Sequence, residues 1–324
     1  MHHGTPNPMG GVRFPMALPL QNMEEVIMNK VTNTEVLKNK ALMVRLTRHK
    51  ISRNKMDKAM GSEVRDKKNV TDDSAVRVNK SIFTKASTDT YMKIYNEGSK
   101  YFYRVSLPWD DQGWRLLAID LYGDFTKKMK SYTKQYRESV VSFVEGIRNH
   151  IEEAQAMLGD AFNAADYDKF LSPNGTVYTE WLMEQFAFEV EFNTVTSGDD
   201  LRASLTDDDR EIIADQINSQ ALAKFQRANE HIIKTLHTCI FEIHDRLCVE
   251  TNVFRDTLIS NLEDLCDIIP AMNIAGDPAI NLLASEAKLK LAKWEPQTLR
   301  DDPKVRKEVA KDAAKILDNM KGII

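Results

Sequence analysis

"LYGDFTKKMKSYTKQYRESVVSFVEGIRNHIEEAQAMLGDAF", residues 121–162, carries one unbroken pattern. Leu121, Phe125, Met129, Tyr132, Tyr136, Val140, Phe143, Ile147, Ile151, Ala154, Leu158 and Phe162 step by 4, 4 and 3 throughout. That is a repeat of about 11 residues, or about 3.67 per turn, and it draws one apolar stripe along a straight or slightly right-handed supercoiling helix. Ile232, Leu236, Ile240, Ile243, Leu247, Thr251, Phe254, Leu258, Leu262, Leu265 and Ile269 repeat the same steps, with Thr251 the one polar member. A lone helix would leave such a stripe in water. Two stripes of matching period therefore predict a long antiparallel, coiled-coil-like helical hairpin, each arm spanning roughly 60 Å. The fold class expected is mainly α.

Working outward, "SLPWDDQGWRLL", residues 106–117, precedes the first stripe. Adjacent carboxylates between two tryptophans could form a metal or acid–base site, around Asp110 and Asp111. Adjacent side chains diverge, however, and no third ligand is near in sequence. The favoured reading is a structural fastener. Pro108 stops the preceding element, Asp110 or Asp111 caps the long helix, Gly113 permits close backbone approach, and Trp109 and Trp114 anchor it. The first long helix is thus expected over 106–162.

The second is expected over 206–269. Thr206 is a suitable cap, Asp207, Asp208 and Asp209 suit the positive end of the helix dipole, and Pro270 closes it. Between the arms, residues 163–205 are too long for a tight turn. They hold a short amphipathic helix with Trp181, Leu182 and Phe186, then an alternating strand through Phe188, Val190 and Phe192. A small distal subdomain is expected there. Its strand reaches the N-terminal one only if the chain folds back.

Residues 1–35, rich in Gly and Pro, read as a flexible leader without the layout of a signal peptide. Residues 36–105 read as a basic α+β part. A strand over 41–51 alternates Leu42, Val44 and Leu46 with Met43, Arg45 and Thr47. A turn follows, then helix from about Asp72. Residues 270–324 read as a helical pair, with Asp277-Pro278 and Asp302-Pro303 as cap-plus-first-turn signals.

The net charge of −4 hides a strong polarity: residues 30–85 carry +9 and residues 145–267 carry −16. Such polarity favours head-to-body contact, self-assembly into a homo-oligomer, or an acidic partner. Arg45, Arg48, Lys50, Arg53, Lys55, Lys67 and Lys68 are the candidate phosphate contacts for DNA or RNA, although few aromatics are interleaved. No run of about 18 apolar residues occurs, so no membrane span is expected. Three cysteines, Cys239, Cys248 and Cys266, lack CxxC spacing and fit a reducing cytoplasmic compartment. His237, Cys239, Glu242, His244 and Cys248 are the best metal candidates, but one helix supplies too few converging ligands, so no metal is expected. No Walker loop, GxGxxG, GxSxG or HExxH occurs. No catalytic residue and no cofactor are expected.

"LPWDDQGWRLL", "AMLGDAFNAADY", "MNIAGDPAI" and "LRDDPKVRKEVAKDAAKIL" follow in this order along the chain. In these motifs, over roughly residues 38–321, the chain resembles an uncharacterised domain family of phages and bacteria. That family is often encoded near MoxR-type AAA+ ATPases and von Willebrand factor A-type proteins. The resemblance implies a phage-encoded accessory or adaptor protein whose partner is an AAA+ ATPase, and it brings no catalytic residues. The expected function is a non-enzymatic cytoplasmic scaffold or adaptor. The alternative is a nucleic-acid-binding protein of phage DNA metabolism that uses the basic N-terminal region.

Overall fold

The computed structural model describes residues 34–72, 74–249 and 251–322. The leader expected over 1–35 lies outside these residues, except for its last two positions. Helix takes 66% and strand 11%, so the chain is mainly α with a small antiparallel sheet.

Helix α1 (Thr34–Lys40) leads into strand β1 (Ala41–His49), then β2 (Asn54–Met56), α2 (Lys58–Lys68), β3 (Asn79–Ser81) and α3 (Lys85–Val105). A hairpin of β4 (Leu107–Pro108) and β5 (Arg115–Ala118) precedes α4 (Tyr122–Glu145) and α5 (Ile147–Leu158). Next come α6 (Thr179–Glu184), β6 (Ala187–Thr194), the long α7 (Asp207–Cys248) and α8 (Thr257–Met272). The chain ends with α9 (Pro278–Ala287), a π-helical turn (Lys288–Ala292), α10 (Pro296–Asp301) and α11 (Pro303–Met320).

The main sheet has the order β4-β5-β1-β6 and is antiparallel throughout. β1 is central. Its register sets Ala41 opposite Ala118, Leu42 opposite Leu117 and Leu46 opposite Val190. Because successive side chains of a strand point to opposite faces, the sheet divides the molecule. Ala41, Met43, Leu116 and Ala118 join one hydrophobic core, and Val44, Leu46, Leu117 and Phe188 join another.

This division overturns the expected hairpin. The first stripe is a core face as read, with Phe125, Met129, Tyr136, Val140, Phe143 and Ile147 all buried. Its partners are α3, α6 and β6, on one side of the sheet. The second stripe, apart from the exposed Thr251 and the half-buried Leu258, is buried too, but packs within the other core, where α7 lies against α8 and α11. Leu121 and Ile268 touch both cores. The stripes share a period but line different cores, and meet where Leu121 reaches α8.

Several boundaries also differ from expectation. The first long helix begins at Tyr122, not at 106, because 107–118 form the β4–β5 hairpin. It passes Gly146 with little disturbance: the Gly146 N–H still donates to Ser142 O at 3.1 Å, and His150 N–H to Gly146 O at 3.1 Å. The second arm breaks between Cys248 and Thr257, at the polar Thr251 of the stripe. Arg306 of α11 explains the break. Its buried guanidinium donates to the carbonyls of Arg246 (2.7 Å), Leu247 (3.3 Å), Val249 (2.7 Å) and Asn252 (2.8 Å). The carbonyls of Arg246 and Leu247 at the end of α7, and those of Val249 and Asn252 in the loop after it, thereby gain a donor without the helix continuing. Pro270 lies inside the last turn of α8 rather than ending it, and Asn273 is the cap.

The helix expected from Asp72 starts only at Lys85, capped by Thr84, whose side chain accepts from Ser87 N–H at 3.0 Å. Instead, helix α2 occupies part of the stretch read as a turn. Residues 163–205 form no distal subdomain, because the chain folds back and β6 pairs with β1 along its whole length. The local caps stand where they were read. Thr206 accepts from Asp209 N–H at 3.2 Å, Asp277 from Ala279 N–H at 2.8 Å, and Asp302 from Lys304 N–H at 2.8 Å. The expected C-terminal pair gains the short α10 between its members.

Candidate functional site

The tryptophan motif closes a β-hairpin. The N–H groups of Trp109 and Asp110 both donate to Trp114 O, at 3.1 and 3.3 Å. Asp110 Oδ1 accepts from Gln112 N–H (2.9 Å) and Trp114 N–H (3.0 Å). This is an Asx-type turn, in which one oxygen of the Asp110 carboxylate organises the backbone of the hairpin loop. Gly113 adopts φ +88°, which a side chain would oppose. Its glycine serves the turn, not a close approach, since a Cβ there would meet nothing within 4 Å. Pro108 sits on the edge strand, where its missing N–H removes no bond within the sheet. Trp109 is buried, with Lys224 of α7 over its ring at 5.5 Å. The motif is a fastener, but of a hairpin rather than a helix cap.

The seven basic candidates do not share one face. Arg45 and Arg48 both lie on β1 but at odd separation, so they leave opposite sides of the sheet. Arg45 pairs with Glu191 at 2.6 Å and lies over Trp114 at 4.8 Å. Thr47 also donates to Glu191, and this bond, with Arg45, holds the Glu191 carboxyl below its usual range. Arg48 donates to Ser99 Oγ at 2.8 Å and lies over Tyr95 and Tyr103 at 5.3 and 5.4 Å. Arg53 is half-buried. Lys55 pairs with Asp166 at 2.6 Å. Lys67 and Lys68 are exposed in the last turn of α2.

Lys50 and Lys55 do come together, in a cleft of about 270 Å³ with Lys169, Trp181 and Gln185. Lys50 lies 4.5 Å from the Tyr95 ring centre. Partial burial, then the nearby Arg48, pushes its amine below the usual lysine range. Lys169 is lowered in the same way, by burial and then by Lys55. Beneath the cleft, Lys80 is clamped at 2.8 Å to Asp57 and at 2.8 Å to Asp166. The bonds it donates to Asp166 and Asp57 raise its amine above the usual value. Asp57 in turn caps α2, accepting from Met60 N–H at 3.0 Å. Sequence reading missed Lys169 and missed Trp181 as a site residue, since both lie more than 100 positions from Lys50. Only the pairing of β6 with β1 brings that segment back.

The C-terminal half offers a different surface. Leu282 on α9 and Leu289 on the π-helical turn are 70% and 71% exposed. They are seven residues apart, two turns along one face. Among the described residues, no three His, Cys, Asp or Glu side chains are placed to hold a metal ion. His237 instead stacks on Phe241. Burial pushes the Cys239 and Cys266 thiols up to about 11 and about 12, so neither is a reactive thiolate near neutrality. No described helix is long and apolar enough to cross a membrane. Comparison of the chain with family models, curated proteins and solved structures found no match.

Proposed function

We propose that the chain is a non-enzymatic scaffold or adaptor acting in the cytoplasm by binding another protein. The observation that carries this reading is the paired exposure of Leu282 and Leu289 on one helical face. Apolar side chains so exposed are what a protein partner would cover. The fate of the basic strand adds support. Arg45 and Lys55 spend their charge on the protein's own carboxylates, and Arg48 on its own rings. On the family resemblance, the partner is an AAA+ ATPase of the MoxR type encoded in the same phage genome. Co-elution of the purified chain with that ATPase tests the reading. Leu282→Asp/Leu289→Asp should weaken the complex by about tenfold or more, in line with loss of a central apolar anchor. Failure of the unaltered chain to co-elute would sink it.

The second reading, nucleic-acid binding, is narrowed by the geometry. Seven scattered cations cannot track one strand. What favours it is the lysine cleft beside Trp181.

A further inference from the structure

Four charges in and beneath the cleft cancel: Lys55 and Lys80 against Asp57 and Asp166. Lys50 and Lys169 are left over. Among the described residues, neither has a carboxylate within ion-pair distance. Each ammonium instead rests near a ring face, Lys50 on Tyr95 at 4.5 Å and Lys169 on Phe170 at 4.9 Å, and Lys50 also donates to the weak acceptor Met92 Sδ at 3.3 Å. A ring face is a weak partner for an ammonium, and an anion entering the cleft would outcompete it.

The wall of the cleft adds a second requirement. Helix α6 is anchored by Leu182, which is fully buried, and turns the neighbouring Trp181 outward at 39% exposure. An outward indole beside two ammonium groups that have no carboxylate in ion-pair contact suits a ligand with both a negative charge and a flat ring. Gln185 completes the set. Its Nε2 donates to Trp181 O at 3.3 Å, leaving the amide oxygen for a ring edge. At about 270 Å³ the cleft holds one such unit, not a helix of stacked pairs.

We propose that this cleft binds a nucleotide, free or as one unit of a single strand, with its phosphate between Lys50 and Lys169 and its base against Trp181. A duplex keeps its bases stacked inside and cannot present one to the indole. This site sharpens the second reading and is independent of the scaffold reading, which uses the opposite half of the chain.

The test is titration calorimetry of the full chain at low salt with dTMP, a six-residue oligo-dT, a DNA hairpin whose stem is long enough to stay paired at that salt, and inorganic phosphate. The expected result is saturable binding of dTMP or the single strand, with phosphate alone and the hairpin each at least about tenfold weaker. Equal affinity for dTMP and the strand assigns the site to a free nucleotide. Binding of the strand alone assigns it to nucleic acid. Lys50→Ala/Lys169→Ala should weaken binding about tenfold or more. Trp181→Ala should weaken it at least about fivefold, the range of one lost base stack. Lys67→Ala/Lys68→Ala, outside the cleft, should leave it within twofold. The proposal is overturned if neither nucleotide probe binds, or if phosphate binds as well as dTMP. It is also overturned if the α2 variant weakens binding as much as the cleft variant. All variants are exposed positions, and unchanged far-ultraviolet circular dichroism separates lost binding from lost folding.

Discussion

The two faces of the sheet are filled with different chemistry. On the α3–α4 side the core is aromatic: Phe83, Tyr91, Phe102, Phe125, Tyr136, Phe143, Phe170 and Phe188 are all buried. Several of their rings meet edge to face, as in Tyr91–Phe143 at 5.1 Å and Phe83–Phe143 at 5.3 Å. On the α7–α8–α11 side the core is almost wholly aliphatic, with Ala221, Ala228, Ala284, Ala287, Ala310 and Ala313 among the leucines and isoleucines. Small residues let helices approach one another, while rings fill the wider, irregular gap between helix and sheet. The polar needs differ as well. The aromatic core must satisfy hydroxyls inside it, and the aliphatic core must satisfy the frayed end of α7. One does so with Tyr136 Oη on His49 O and Tyr167 Oη on Ile82 O, at 2.8 and 2.7 Å. The other uses the single guanidinium of Arg306.

The largest effect should come from that guanidinium. Arg306→Met removes a donor from four carbonyls, of which Val249 O keeps the Asn252 N–H at 3.2 Å, and should cost about 3–4 kcal/mol, at about 1 kcal/mol or more for each of the other three. Urea unfolding measures the loss. Hydrogen exchange locates it, and protection should fall first over 207–320 while 85–145 stays protected. Equal loss in both regions would show one cooperative unit and break the comparison.

On the aromatic side, Lys80→Met should cost about 3 kcal/mol at neutral pH, because the buried Asp166 and the half-buried Asp57 lose a shared cation. The pH dependence sharpens this. The Lys80 bond leads in holding the Asp57 carboxyl below its usual value. Burial pushes Asp166 up, but bonds from Lys55 and Lys80 outweigh it. A depressed carboxyl contributes stability above its unfolded pKa of about 4, and that contribution is lost as pH falls through the folded value. The deficit of the variant should therefore be greatest near neutrality and shrink on acidification. A deficit independent of pH would remove the network from the account.

Gly98 tests how tightly the rings fit. A Cβ there would lie 2.6 Å from Phe188 Cζ, so Gly98→Ala should cost about 1–3 kcal/mol by overpacking. In a double-mutant cycle with Phe188→Leu the two losses should fall short of additive. Strict additivity would mean that helix and strand do not meet there.

The smallest effects form a matched pair. Tyr136→Phe removes a made hydrogen bond and should cost about 1 kcal/mol. Tyr91→Phe removes a buried hydroxyl with no partner among the described residues, and should be neutral or stabilising. If both cost the same, a partner for Tyr91 exists after all.

Much of the fold was legible residue by residue. Both stripes are core faces, and the caps at Thr206, Asp277 and Asp302 hold where they were read, because each signal is a bond or period within a few positions. The basic candidates were legible only as charge. Whether Arg45 met a phosphate or Glu191 depended on a strand 146 residues away, and Lys169 and Trp181 carried no local mark of a site. The break in the second stripe had one faint sign, Thr251, but the group that stabilises it sits on α11.

By itself, then, the sequence determined which faces are apolar, where the helices capped by Thr206, Asp277 and Asp302 start, and that charge is unevenly spread. Only the tertiary structure decided which stripe meets which partner, that β1 is buried on both sides, and that a lysine cleft forms at its end. The physical reason is that local hydrogen bonds and side-chain period are directional and short in reach. Burial of apolar surface is neither, so two stripes of the same period satisfy it equally well apart as together.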